Sequence, residues 1–115
     1  MSITIGDYNF EGPFFDTNSL FNRSGVFVIL GKNAPGNDWT PVDIGSSGDV
    51  RDRVQNHGLD ICWSSQGYRT MVAAVLYCEE MLREEIEQEL RKIYQPPCGG
   101  KRRERELNPL AGDED

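Results

Sequence analysis

Cysteine, histidine and basic side chains are all scarce in this sequence, and long apolar runs are missing. The three cysteines, Cys62, Cys78 and Cys98, and the one histidine, His57, are widely spread. An odd cysteine count without a CxxC pair points away from a disulfide framework and from structural Zn2+. The expectation is therefore free, partly buried thiols in a reducing compartment. No stretch comes near the roughly eighteen apolar residues that a membrane span needs, so no membrane partner is expected. The opening residues, MSITIGDYNFEG, carry neither the basic nor the long apolar region of a secretory signal. These absences together make a cytoplasmic protein the expectation.

Basic side chains are outnumbered. Twelve Lys and Arg face 19 Asp and Glu, for a net charge of -7. Duplex nucleic acid is held mainly by cations that neutralise phosphates, which argues against a protein that coats it nonspecifically. A small cleft with a few local cations is not. The remaining composition is that of a globular chain, with 37% hydrophobic residues over a length of 115, enough for one modest core.

Hydropathy and turn residues divide the chain. Residues 1–24 read as an N-terminal extension in which Ile3 to Phe10 alternate loosely as an edge strand, broken at Gly12-Pro13. A short helical turn capped by Asp16 or Thr17 follows. Gly25 to Leu30, GVFVIL, is continuous and β-branched, as in a strand buried on both faces. The turn-rich GKNAPGND leads to a second strand, Trp39 to Ile44. Ser46 or Ser47 is placed to cap a helix. Val50, Arg53, Val54 and His57 share one face of it, and Gly58 ends it. Residues 59–69 read as a polar connection, and Thr70 to Cys78 as a third strand. A long helix from Glu79 to Tyr94 carries the apolar stripe Leu82, Ile86, Leu90 and Ile93 and stops at Pro96-Pro97. Residues 100–115 read as a mobile charged tail. The expected fold is α/β in the α+β sense: a small, mainly antiparallel three-stranded sheet with flanking helices over residues 25–99.

Few residues in that order can do chemistry. Arg53 and His57 lie one turn apart, Asp43 sits near the end of a strand, and Glu87 borders the apolar stripe. A carboxylate can hold a divalent metal that activates water, and an arginine can neutralise developing phosphate charge. The competing readings are ordinary: Glu87 and Arg91 as a solvated i, i+4 pair, Arg53 as a surface charge, His57 as a helix-end residue. Trp39 and Trp63 flank this region, as base-stacking or packing residues.

Gly25-Val26-Phe27 and Asp43-Ile44-Gly45 resemble the paired motifs of GIY-YIG nucleases. SSGDVRDRVQNH resembles that family's helix, with Arg53 eight residues beyond Gly45 and His57 four further on. EQELRKIYQPPCG resembles its metal-binding helix, with Glu87 nine residues before Pro96. The resemblance implies an endonuclease that hydrolyses DNA phosphodiesters, single-stranded or branched DNA included, with Mg2+ or Mn2+. It assigns the metal to Glu87, the scissile phosphate to Arg53 and nucleophile activation to His57. The motif departs from the family at both tyrosines, which are Phe27 and Asp43 here. Asp43 is then read as a second metal ligand or base, or as the partner of Arg53 in a degenerate site. The alternative function is a non-catalytic module of the same fold that binds nucleic acid or a protein partner, or forms an oligomer through a sheet edge.

Overall fold

A computed structural model describes residues 1–33, 38–56 and 60–99. His57 and Gly58, with their readings as site residue and helix cap, and the tail 100–115 lie outside the described residues. The elements run β1 (Ser2–Ile5), β2 (Tyr8–Phe14), a single 3₁₀ turn (Thr17–Ser19), β3 (Gly25–Lys32), β4 (Thr40–Ser47), α1 (Val50–Gln55), α2 (Asp60–Ser65), β5 (Thr70–Tyr77) and α3 (Glu80–Tyr94). The result is a small α+β domain. Its antiparallel sheet has five strands in the order β1-β2-β5-β3-β4, not three.

The two extra strands come from the N-terminal extension. Ile5 pairs with Tyr8 across a two-residue turn in which Gly6 takes φ 61°, a conformation that favours glycine. Gly12-Pro13, expected to end the strand, does not end it. Proline cannot donate to a ladder, and the pairing of β2 with β5 shifts register between Glu11 and Phe14 at that point. The strand passes through as a bulge.

β3 lies inside the sheet with β4 on one side and β5 on the other. Its residues alternate between two cores. Val26, Val28 and Leu30 join Ile5, Phe10, Ile44 and Ala74 under Ile86 and Leu90 of α3. Phe27 and Ile29 join Val42, Val75 and Leu20 under Val50 and Val54 of α1. Helices on both faces explain why GVFVIL reads as an unbroken apolar run.

Three local expectations are corrected. The polar connection contains α2, whose six residues DICWSS have too little apolar periodicity to announce a helix. Only half of the α3 stripe is core: Ile86 and Leu90 are buried, whereas Leu82 and Ile93 are 44% and 56% exposed. Finally, Cys62 and Cys98 form a disulfide, and Cys78 is the free cysteine. Residues 36 apart in sequence meet because the chain after α3 folds back over the sheet edge.

The glycine of the DIG motif has a packing reason. A Cβ on Gly45 would stand 2.5 Å from Cζ of Phe27, whose ring is buried. Gly45→Ala is therefore expected to cost about 1–3 kcal/mol of stability through overpacking, read by chemical denaturation.

Candidate functional site: a buried carboxylate–guanidinium cluster

β4 is an edge strand, and an uncovered edge leaves backbone carbonyls without partners. Two pieces of the α3 region cover it. The Arg91 guanidinium donates to the Ile44 carbonyl, and the Cys98 amide donates to the Val42 carbonyl at 3.0 Å. Helical spacing sets the first contact. Glu87 and Arg91 follow Ile86 and Leu90, so the charged pair runs beside the two residues that anchor α3 on the sheet.

Arg91 joins two carboxylates there. Its Nε donates to Glu87 Oε2 at 3.1 Å, and its Nη2 donates to Asp43 Oδ1 at 3.3 Å. The remaining oxygens are also engaged. Ser46 Oγ donates to Glu87 Oε1 at 2.7 Å, and Trp63 Nε1 donates to Asp43 Oδ2 at 2.9 Å. Asp43 and Glu87 are 1% and 2% exposed, so these are interior bonds of low dielectric. Gly99 closes the cluster, because a Cβ there would collide with Asp43 Oδ1 and Arg91 Nη2. Its φ of 90° separately favours glycine.

Burial raises the Asp43 pKa above the ordinary aspartate range. The Trp63 hydrogen bond, the Arg91 charge and the Ile44 amide oppose that shift, and the nearby Glu87 charge reinforces it.

Several sequence-derived site residues are thus accounted for. Asp43 and Glu87 do meet on one cation, and that cation is Arg91. The alternative pairing of Asp43 with Arg53 is replaced accordingly. The reading of Glu87 and Arg91 as a solvated pair is also corrected: the pair is interior because it borders the stretch of α3 that touches the sheet. Arg53 is exposed on α1, which packs on the sheet face opposite α3. Phe27 packs on Gly45. Neither serine caps α1, whose N-cap is Asp49: Ser46 serves Glu87, and Ser47 Oγ accepts the Asp49 amide at 2.9 Å. Two tyrosine hydroxyls do structural work: Tyr77 Oη accepts the Phe21 amide and Tyr94 Oη accepts the Gly6 amide. Trp39 lies under Lys32, with Nζ 4.4 Å from the ring centroid.

Arg91, Ser46 and Trp63 are the members that sequence reasoning did not assign to the site. The available signal was the offset of 87 and 91 from 86 and 90, which puts the pair at the margin of a buried stripe.

The fit of a divalent ion follows from the donor set. Magnesium takes oxygens in near-octahedral geometry and keeps several waters. Here all four carboxylate oxygens carry protein donors, and the guanidinium lies between the two acids. Among the described residues, no group of three or more His, Cys, Asp or Glu is arranged to hold a metal ion. As placed, these residues do not fit Mg2+ or Mn2+.

Two outcomes are expected of this cluster. Arg91→Met strands two buried acids and should cost about 3–5 kcal/mol, measured by urea denaturation at pH 7. The second concerns pH. A raised folded-state pKa means that the folded chain keeps the Asp43 proton to higher pH than the unfolded chain does. The contribution of Asp43 to stability is fully present below the ordinary value of about 3.9 and is lost as pH rises through the folded value. Relative to Asp43→Asn, the parent protein should be most favoured near the acid end and lose ground as pH rises, in denaturation curves taken at matched pH.

Compared with the models of known families, with curated proteins and with solved structures, the chain matches none.

Proposed function

We propose that this chain is a non-catalytic module of GIY-YIG-like architecture that works by binding a protein partner. The observation that carries this reading is the Arg91 guanidinium lodged between Asp43 and Glu87. In the nuclease reading those acids would need free oxygens and an open approach for phosphate. Here their oxygens are spent on the fold. The likeness to the family is supported by the order of elements from β3 to α3 and by the packing of Phe27 on Gly45.

A protein partner is favoured over nucleic acid by charge and surface. The net charge is -7. An open apolar depression of about 130 Å³ is lined by Phe14, Phe15, Ile29, Val54, Trp63 and Met71, and Phe15 is 73% exposed. Apolar depressions of this kind suit side chains better than phosphates.

The second reading is the divergent metal-dependent DNA endonuclease. It is favoured by one observation, the meeting of Asp43 and Glu87 on a single cation. One experiment separates the two. The protein and Glu87→Gln are incubated with single-stranded, duplex and branched DNA, and with RNA, in Mg2+ or Mn2+. The expected result is no cleavage and no retention of nucleic acid at physiological salt by either protein. Metal-dependent cleavage that Glu87→Gln abolishes would overturn the binding reading in favour of the nuclease.

A further inference from the structure

The cluster has a covalent neighbour. After α3 the chain turns at Gln95, which takes a left-handed conformation at φ 47°, and crosses the outer edge of β4. This strap, residues 95–99, meets Asp43 in a parallel bridge at Cys98. It reaches the far face of the sheet, where Cys98 joins the core under α1 and bonds to Cys62 of α2. α2 has six residues, too few to be helical alone. Trp63, one residue after Cys62, holds α2 to Asp43. The strap and α2 therefore secure one another across β4, each through one cysteine.

We propose that Cys62–Cys98 is a redox latch, and that its reduction by a dithiol releases the strap and α2 from β4 while the rest of the sheet stays folded. This goes beyond the binding reading and holds whether or not the domain cleaves nucleic acid. Cys98 is 1% exposed and Cys62 is half-buried on a surface helix, so Cys62 Sγ is the more open to attack. A thiolate of the dithiol attacks Cys62 Sγ, forming a mixed disulfide and expelling the Cys98 thiolate, which takes up a proton. The second thiol of the reagent, as its thiolate, displaces Cys62, which is protonated in turn. The protein gains two thiols and two electrons, and the dithiol becomes its own cyclic disulfide.

Opening has a defined extent because the two ends are held differently. β3 is hydrogen-bonded to β4 and β5 along its length, and α3 keeps Ile86 and Leu90 in the opposite core. Neither depends on the disulfide. The strap lies against β4 through the Cys98 amide and the close approach of Gly99. Reduction leaves those weaker attachments to hold it, and opening bares the Val42 carbonyl on the β4 edge.

Hydrogen exchange read by mass spectrometry tests the latch on the full chain. The protein is equilibrated with oxidised glutathione and then with dithiothreitol. Accessible thiols, counted after denaturation, should rise from one, Cys78, to three. Exchange at the Cys98 and Gly99 amides and at residues 60–66 should rise at least tenfold, with β3 and β5 unchanged. Cys62→Ser combined with Cys98→Ser should show the open pattern without reductant. In a Trp39→Phe background Trp63 is the remaining tryptophan, and its emission should shift to the red on reduction. Three thiols under oxidising conditions would overturn the proposal, as would unchanged exchange after complete reduction. Equal loss of protection in every strand would also overturn it, by making the bond a staple of the whole fold.

Discussion

The Arg91 guanidinium, shared between Asp43 and Glu87, is the contact on which the arrangement around β4 depends. It joins α3 on one face of the sheet to a strand residue whose side chain faces the other. It also gives a donor to an edge carbonyl that would otherwise lack one. Burying a salt bridge brings little net stability, because desolvation offsets most of the attraction. Breaking one is costly. The cluster therefore defines which helix packs where more than it raises the stability of the packed state.

Around that contact, several features of the sequence acquire a common reason. Ser46 and Trp63 supply the donors that two buried acids require. Gly99 leaves the space that Asp43 and Arg91 fill. Cys98 anchors the strap on the far side through Cys62, the sequence neighbour of the Trp63 that holds Asp43. Among the described residues no buried side-chain nitrogen or oxygen lacks a partner. Full satisfaction is the condition under which a polar network specifies a unique interior instead of weakening it.

Strong local signals were legible in the sequence, and contacts made between distant segments were not. The continuous run of β3, the third strand and the long helix all emerge from hydrophobic pattern, because each buries apolar side chains at its own period. The β1-β2 hairpin was half-visible: alternation marked one edge strand, but the turn at Gly6 was hidden in it, and the bulge at Gly12-Pro13 looked like a stop. α2 was invisible, since a six-residue helix held by a disulfide and one indole needs no amphipathic stripe of its own. In the cluster, Asp43 and Glu87 stand out in the sequence because few residues in that order can do chemistry and both fall at positions of the motif resemblance. The arginine that meets Asp43 is Arg91 and not Arg53, because spacing along the chain says nothing about which arginine folds over a sheet edge. The disulfide was missed for the same reason: a pair 36 residues apart has no local signature.

The nature of the cation also decides what chemistry the two acids can take part in. A divalent ion balances two carboxylates and asks that both be ionised and offer free oxygens. A guanidinium carries one charge and directs its donors in a fixed plane. It satisfies two acids geometrically without balancing them, and burial then keeps the Asp43 proton to higher pH than usual. A phosphate arriving here would meet two carboxylates that share one guanidinium. Asp43 and the placement of Arg91 one turn beyond Glu87 act together: the aspartate puts a second acid in the interior, and the arginine makes it tolerable. With the two acids held in this way, the features of the domain left open are its apolar depression and the strap that closes β4.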